Sequence, residues 1–233
     1  ADVSHEIKNP LASIRSAVAS ARAAQTPEQQ SQMLAIVAQD VVRLDRLITD
    51  IARASRIEAE TARGDLGQVD LGALLFDIAR AYETPPGEKA HAEVHFKGAR
   101  PEGALVIGQP GSLGQVFRNL IDNARSFSPE GGTVTVSAQV LKTKEGQIVR
   151  AVVEDEGPGI PPENLETIFQ RFYTQRPKGT AFGGNSGLGL SIARQIVTSH
   201  SGKIRAENIE GADGEVRGAR LIVELPLAGA PRH

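Results

Sequence analysis

The sequence predicts an α plus α/β protein in two parts: a helical hairpin over residues 1–63 and an α/β sandwich over residues 64–233. All 24 glycines lie from Gly64 onward, and the alanine-rich stretch before it favours helix. Apolar residues of the first part recur at spacings of three and four, whereas the second part alternates β-rich runs with amphipathic segments. A length of 233 residues suits one large domain or two modest ones.

Two long helices account for the first part. The stretch Thr26-Pro27-Glu28-Gln29 between them predicts a helix start, with a hydroxyl cap, proline at the first position and Gln three residues after the cap. A lone hairpin cannot surround its apolar stripe, so we expect a homodimer in which two hairpins form a four-helix bundle. The predicted stripes are Ile7, Leu11, Ile14, Val18 and Ala21 in the first helix and Val37, Val41, Leu44, Ile48, Ile51 and Ser55 in the second.

Short β-rich runs and amphipathic segments alternate in the second part, which predicts a sheet covered by helices on one face. Proline and glycine are dense over residues 157–186, so a loop with one short helical piece is expected there. The predicted strands are Val69–Leu71, Ala92–Phe96, Ala104–Ile107, Thr133–Val140, Ile148–Asp155, Lys203–Asn208 and Ala219–Leu225, and the predicted helices are Gly72–Tyr82, Gly111–Ser126, Glu163–Gln170 and Gly187–Ser201.

The composition excludes several classes of protein. With 26 basic and 28 acidic residues the net charge is −2, which provides no general attraction for nucleic acid. The absence of cysteine excludes disulfides and thiolate nucleophiles. No stretch approaches the roughly 20 apolar residues of a membrane span, and the N-terminus does not resemble a signal peptide. The chain as given is therefore expected to be soluble and untargeted.

The first candidate for chemistry is Ser4–Leu11. With Ile7 and Leu11 on the apolar stripe, His5 and Asn9 share the exposed face of the helix. A neutral imidazole has a free lone pair and can act as a nucleophile, and Glu6 beside it could hold or accept the proton. The alternative is an ordinary solvated face. A zinc-protease motif is excluded, because its second histidine would stand where the chain has Asn9.

A second group lies on the predicted helix Gly111–Ser126. Gln115, Asn119 and Asn123 recur every four residues, which aligns three amides on one face. Amide oxygens suit a Mg²⁺ ion that also binds phosphate oxygens, and a plain polar surface is the alternative. Phe127 follows at the helix end, either as part of the core or as a stacking surface.

Two glycine-rich loops complete the candidates. Asp155 ends a predicted strand, and Gly157 and Gly159 after it would let a ligand approach the backbone. The second loop runs into a helix and presents N–H groups to phosphate, through Ser186, Gly187, Leu188 and Gly189. Neither loop has the glycine spacing of a dinucleotide-binding fold or the Gly-Lys-Ser/Thr of a Walker A site.

In this order, the motifs resemble those of the bacterial two-component sensor histidine kinases over nearly the whole chain. Ser4–Leu11 resembles the H box of that family and Asn119–Ala124 its N box. The remaining matches are Asp155–Ile160 to the first glycine box, Ile168–Tyr173 to the F box and Ser186–Leu190 to the second glycine box.

The resemblance implies a dimerisation and phosphoacceptor hairpin over residues 1–63 and a Bergerat-type ATP-binding domain over residues 64–233, with ATP and Mg²⁺ as cofactors. His5 would receive the γ-phosphoryl group, with Glu6 as general base or orienting partner. Asn123 would bind the metal, with Asn119 nearby, and Asp155 would hydrogen-bond the adenine amine. The other implied nucleotide contacts are Phe127 on the ring, Gly157 and Gly159 at the pocket, Arg171 at the γ-phosphate, and Ser186, Gly187, Leu188 and Gly189 around the phosphates.

The resemblance also implies a partner, a response regulator whose receiver aspartate takes the phosphoryl group. Asn9 matches the position that in many such kinases aligns water to dephosphorylate the regulator. The parent is expected to be an inner-membrane sensor whose missing upstream segments span the membrane, with this region in the cytoplasm. The family often has a basic residue and Tyr where this chain has Ser126 and Phe127. The resemblance therefore implies that a phosphate contact made there in relatives would here fall to Arg125 or Lys178, and the sequence does not choose between them.

Two alternatives stay open at this stage. One is a dimeric scaffold of the same fold that binds a regulator without turning over ATP. The other is a different Bergerat ATPase, either a chaperone-like clamp or a serine kinase that regulates sigma factors; such proteins would lack the hairpin with Ser4–Leu11.

Overall fold

The computed structural model describes residues 3–61, 66–83, 91–144, 146–171, 173 and 187–229. The described residues of Ala1–Arg56 and Arg171–Leu188 form one compact unit. Those of Ile57–Gln170 and Gly189–His233 form a second. None of the described helices is both long enough and apolar enough to cross a bilayer.

Two helices, α1 (Val3–Ala23) and α2 (Pro27–Thr61), make up most of the first unit. The predicted start of the second helix is confirmed, because the Oγ1 of Thr26 accepts a hydrogen bond from the backbone N–H of Gln29 at 3.2 Å. The side chain of Gln29 reaches back to accept from the N–H of Gln25 at 3.1 Å. This reciprocal pair satisfies two backbone donors where helical hydrogen bonds are missing.

In the single copy, only part of the predicted apolar stripe of α1 is buried. Pro10, Ala17 and Ala21 are buried, whereas Leu11 and Val18 are 48% and 36% exposed. Proline and alanine have little side-chain bulk, so they suit positions where another element lies close to the helix. The stripe was predicted for a bundle of two copies, so the exposure of Leu11 and Val18 in one copy does not contradict it.

The second unit contains a five-stranded sheet in the order β2-β4-β5-β7-β6 and a two-stranded sheet of β1 and β3. Strand β2 is parallel to β4, and every other pair is antiparallel. The elements are β1 (Gly67–Asp70), α3 (Leu71–Ala81), β2 (Ala92–Phe96), β3 (Leu105–Gly108), α4 (Pro110–Phe127), β4 (Gly132–Thr143), β5 (Gly146–Glu154), α5 (Gly189–Ser199), β6 (Lys203–Glu210) and β7 (Val216–Pro226).

One face of the large sheet is covered by helices, as predicted. The strands alternate buried and half-buried residues, and their buried side chains meet those of α3, α4 and α5. The other face carries ion pairs such as Arg150 with Glu224 at 2.7 Å. The largest fully buried side chains include Leu71, Leu75, Phe117, Leu120, Ile121, Ile196, Leu221 and Leu225.

The predicted helix Glu163–Gln170 is wrong: this stretch forms two short 3₁₀ turns, Pro162–Asn164 and Thr167–Phe169. The hydroxyl of Thr167 lies 3.2 Å from both the backbone and the side-chain oxygen of Asn164. Such local side-chain bonds compete with the α-helical ladder. The other predicted strands and helices of this unit are confirmed, with ends that differ by about three residues or fewer.

Candidate functional site

Helix α4 presents a row of polar side chains beside the core. Gln115, Asn119, Asn123 and Phe127 are each half-buried at every fourth position. The opposite side of the helix is fully buried, through Val116, Phe117, Leu120 and Ile121. Burial of that face fixes the rotation of the helix about its axis, so the amides project together on one side.

Asn119 and Asn123 differ in their surroundings. The Nδ2 of Asn119 donates to the carbonyl oxygen of Gly189 at 3.0 Å, which ties α4 to the first residue of α5. A Cβ at Gly189 would lie 3.7 Å from the side chain of Asn119, an ordinary van der Waals distance. Within the described part of the chain, the side chain of Asn123 makes no hydrogen bond and keeps its amide oxygen available.

Asp155 follows β5 and is only 6% exposed. Its Oδ1 accepts hydrogen bonds from the N–H groups of Gly157 at 2.9 Å and Ala219 at 3.1 Å. Its Oδ2 accepts none from the described residues. Burial raises the pKa of this carboxyl above its ordinary value, and the two backbone donors partly oppose that shift. One oxygen is thus satisfied by the protein, and the other is free to accept from a ligand.

The glycines around Asp155 allow backbone segments to approach one another closely. A Cβ at Gly157 would lie 2.8 Å from the carbonyl oxygen of Phe127 and 2.9 Å from the Oδ1 of Asp155. A Cβ at Gly218 would collide with the carbonyl oxygen of Asp155. The end of α4, the glycine loop and β7 therefore meet around one carboxylate, in a space that no larger residue could share.

His200, which the sequence motifs did not single out as a site residue, supports the start of α4. Its ring is buried, and its Nδ1 lies 2.8 Å from the carbonyl oxygen of Ile196, so Nδ1 carries the proton. Its Nε2 accepts from the N–H of Gln109 at 3.3 Å. A Cβ at Gly108 would lie 2.6 Å from the ring, so that glycine makes room for it. The ring of His200 thus joins the end of α5 to the N-cap of α4.

Arg125 is held away from the amide row. Its Nε donates to the carbonyl oxygen of Ala92 at 3.3 Å, and its guanidinium lies 5.3 Å from the ring centroid of Tyr82. The hydroxyl of Tyr82 donates to Asp122 at 2.9 Å. Of the two basic residues considered for phosphate contact, Arg125 is therefore anchored at β2, and Lys178 lies outside the described residues.

The remaining predicted site residues fall in the other unit. His5 and Glu6 lie in the first turns of α1, and Asn9, one turn after His5, is exposed. Leu188 is buried, Gly187 has φ +71°, and Arg171 is an exposed turn residue. Ser186 lies outside the described residues. The second unit itself brings together Asn119, Asn123, Phe127, Asp155, Gly157, Gly159 and Gly189.

The oxygen donors of the site suit a metal held mainly by substrate phosphates. The described residues contain no cluster of three His, Asp or Glu side chains that could enclose an ion. The row on α4 offers neutral amide oxygens instead, with that of Asn123 unengaged. Such a set suits Mg²⁺, which keeps several waters and binds chiefly through substrate phosphates.

Comparison with known proteins identifies both parts of the chain. Residues 108–229 match the family described as histidine kinase-, DNA gyrase B- and HSP90-like ATPase. Residues 1–60 match the His Kinase A (phospho-acceptor) domain. A clamp or sigma-factor kinase of the same ATPase family would not supply the second match.

Individual relatives agree with both assignments. Sensor protein ChvG of Rhizobium meliloti is 46% identical over 99% of this chain and 40% of its own length. Sensor histidine kinase WalK of Bacillus subtilis is 31% identical over 97% of this chain and 36% of its own. The chain thus spans about two fifths of the length of these curated relatives.

Solved structures agree as well. The crystal structure of histidine kinase ThkA in complex with response regulator protein TrrA covers 97% of this chain and 60% of its own, with TM-score 0.65 and 25% identity. The catalytic domain of ThkA covers 70% of this chain and 97% of its own, with TM-score 0.55 and 29% identity. A histidine-bearing hairpin followed by this ATPase fold places the chain among the sensor histidine kinases, whose phosphoacceptor and ATPase domains it carries.

Proposed function

We propose that this chain binds Mg·ATP, transfers the γ-phosphoryl group to His5 and passes it to an aspartate of a response regulator. The observation that carries the proposal is the buried carboxylate of Asp155, which keeps one oxygen free beside a row of amides. ThkA, which is similar over almost the whole chain, was crystallised with a response regulator. A response regulator is therefore also the proposed partner of this chain.

The adenine end of the pocket is assigned to the residues around Asp155. Its Oδ2 would accept a hydrogen bond from the exocyclic amine of adenine, while Oδ1 stays bonded to the backbone. Gly157 leaves space for the ring to approach the backbone, Gly159 shapes the loop, and Phe127 at the end of α4 would pack on the ring. A buried acceptor of this kind selects adenine over bases that present an oxygen there.

The phosphate end is assigned to α4 and the start of α5. Asn123 would hold Mg²⁺, which neutralises phosphate charge, and Asn119 lies one turn away and is bonded to Gly189. Backbone N–H groups at the start of α5 would point toward a bound phosphate. Ser186, Gly187, Leu188 and Gly189 would therefore surround the phosphates, and Arg171 would stabilise charge on the γ-phosphate.

In the transfer step, a ring nitrogen of His5 attacks the γ-phosphorus. The bond from that phosphorus to the bridging oxygen of ADP breaks, a P–N bond forms, and Glu6 accepts the proton from the imidazole. The carboxylate of the regulator then attacks the same phosphorus, the P–N bond breaks, and Glu6 returns the proton to the leaving imidazole. His5 returns to its starting form.

The test of this function supplies γ-labelled Mg·ATP to the purified chain. Label is expected on the protein as an adduct that acid hydrolyses and alkali preserves, the behaviour of a phosphoramidate. Label that survives acid would place the phosphate on a hydroxyl, and an unlabelled protein would contradict kinase activity.

Residues 1–63 are proposed as the dimerisation hairpin and residues 64–233 as the ATP-binding domain. In the single copy, Leu34, Val41 and Ile48 of α2 recur at intervals of seven residues and are between 51% and 55% exposed. Leu11 and Val18 of α1 are also exposed and seven apart. A repeat of seven is the spacing of a helix-bundle seam, so a second copy is proposed to cover these residues.

Val41→Asp is expected to shift the protein from dimer to monomer, because it places a charge in the proposed seam. A desolvated carboxylate without a partner should raise the dimer dissociation constant by roughly 100-fold or more. Sedimentation at micromolar concentration measures the shift. Ile36→Asp is the control, since Ile36 is 38% exposed and lies on the opposite side of α2. A monomeric wild type, or a dimeric Val41→Asp, would count against the seam.

A phosphatase activity toward the regulator is also proposed. Asn9 is exposed one helical turn after His5, where its amide could orient a water toward the phosphorylated aspartate. A relative in Mycobacterium leprae that is 31% identical is named as a kinase/phosphatase, MprB.

For the parent, family resemblance supports an inner-membrane sensor with these residues in the cytoplasm.

Asn9→Ala is expected to slow dephosphorylation of the regulator about tenfold while self-labelling stays within about twofold, because only the water loses its partner. The substrate is the receiver that the labelled chain phosphorylates fastest in a panel, and release of inorganic phosphate is followed. Ser16→Ala, also exposed and seven residues further along α1, should behave as wild type. Unchanged dephosphorylation in Asn9→Ala would exclude this role.

A further inference from the structure

The loop from Gly157 to Ile160 has little backbone pairing of its own. Over the described residues it makes no hydrogen bond between backbone groups; the N–H of Gly157 bonds to the side chain of Asp155 at 2.9 Å. Gly159 has φ +79°, a conformation that suits glycine. The far end of the loop therefore depends on side chains from elsewhere for its position.

Asn208 of β6 supplies that support. Its Oδ1 accepts from the N–H of Ile160 at 2.8 Å, and its Nδ2 donates to the carbonyl oxygen of Ile160 at 2.7 Å. The amide therefore accepts from the N–H and donates to the carbonyl oxygen of the same residue, as the backbone of a paired β-strand does. A Cβ at Gly159 would lie 3.0 Å from the same Oδ1 and would collide with Val216, so the loop lies directly against β6 and β7.

The same strand pair also supports Asp155. Asn208 pairs with Ala219 across β6 and β7. Ala219 donates its N–H to the Oδ1 of Asp155 at 3.1 Å, and its carbonyl oxygen accepts from the N–H of Asp155 at 2.9 Å. The cross-strand pair Asn208 and Ala219 thus holds both the carboxylate of Asp155 and the end of the glycine loop.

We propose that Asn208 is a positioning residue for nucleotide binding, which holds Ile160, and through it the Gly157–Ile160 loop, at the distance from Asp155 that adenine requires. This inference rests on the proposed nucleotide site. It assigns a role to a residue outside every sequence motif of the site. Asn208 acts through the loop and is not proposed to touch the phosphates.

Asn208→Asp tests the proposal, because it preserves size but replaces the donor by an oxygen that faces the carbonyl of Ile160. Two acceptors then oppose each other, and the loop should detach. The KM for ATP and the dissociation constant of a non-hydrolysable ATP analogue with Mg²⁺ are expected to rise about tenfold, with kcat within about twofold. Hydrogen exchange at the N–H of Ile160 should accelerate about tenfold.

Two further variants complete the design. Gln139→Glu makes the same chemical change at an exposed position of β4 and should leave all three measurements unchanged. Asn208→Leu keeps the approximate size and removes both hydrogen bonds, so it should also raise the KM and the dissociation constant about tenfold, and it carries the test if Asn208→Asp does not fold.

The outcomes separate this inference from the function on which it rests. If the wild type does not bind Mg·ATP, the proposed function fails and the nucleotide role of Asn208 fails with it. If the wild type binds and both Asn208 variants retain its affinity and its exchange at Ile160, only the positioning role is overturned. Faster exchange with unchanged affinity would also overturn it, because the loop would then be held for stability alone.

Discussion

Replacing His5 by Gln is expected to remove all acid-labile label from the protein when γ-labelled Mg·ATP is supplied. Gln matches the polarity of histidine and is well tolerated in a helix, so α1 should persist. Its amide nitrogen has no available lone pair, and the P–N bond cannot form. Labelling should fall to background, a loss of at least about 100-fold, while affinity for a non-hydrolysable ATP analogue stays within about twofold.

His95→Gln provides the matched control. His95 is an exposed residue of β2 whose ring contacts Glu93 at 3.1 Å, and it lies outside the proposed site. This variant should be labelled as the wild type is. Persistent label in His5→Gln would show that another residue is the phosphoacceptor. If His5→Gln also lost affinity for the nucleotide, the missing label would be explained by a folding defect.

Asp155→Asn is expected to weaken binding of Mg·ATP by about 100-fold or more and to abolish labelling with it. The amide oxygen can still accept from Gly157 and Ala219, so the local backbone is retained. The second oxygen becomes an NH₂ group, and two donors then face each other at the adenine amine. When a buried polar group is left unpaired, the binding free energy falls by more than the value of one hydrogen bond, because the group has lost its water without gaining a partner.

The same substitution should change the stability of the protein in the opposite direction from its affinity. Burial raises the pKa of Asp155 in the folded state above its ordinary value of 3.8. The unfolded carboxyl therefore ionises first as the pH rises, and stability is lost between pH 3.8 and the higher folded pKa. Asp155→Asn lacks this loss, so its free energy of unfolding should exceed that of the wild type by a margin that grows through this window and then levels off.

Nucleotide titration and denaturant unfolding at several pH values measure both effects. Asp77→Asn is the control, because Asp77 is an exposed residue of α3. It should alter neither quantity. Wild-type affinity in Asp155→Asn would refute the adenine contact, and a variant less stable than the wild type at neutral pH would refute the cost assigned to the buried charge.

Sequence patterns were most successful where structure depends on near neighbours. The capping hydroxyl of Thr26 acts on a residue three positions away, and the amide row of α4 follows from a period of four. The pattern failed at Thr167, whose hydroxyl bonds to Asn164 break up the predicted helix. In a single copy of α1, burial of Ala17 in preference to Val18 depends on packing that periodicity does not report.

In the candidate site, too, residues close together in the chain could be predicted and distant ones could not. Asp155 and its glycines could be identified because they adjoin one another in the chain, and motif order then indicated the family. His200 and Asn208 could not, because they act on residues 91 and 48 positions away. A histidine after a helix and an asparagine in a strand are common in proteins, and nothing local marks either as a support.

By itself, the sequence determined the helical hairpin and the α/β sandwich, because helix and strand periods and glycine-rich turns are local properties of a chain. The candidate nucleophile and the residues proposed to face a nucleotide followed from the resemblance of its motifs to those of a family. Only the tertiary structure decided which oxygen of Asp155 is free, which asparagine of α4 is already bonded, and which remote side chains hold the site. Those features depend on contacts that form when β5, β6 and β7 align and bring distant residues within hydrogen-bonding distance.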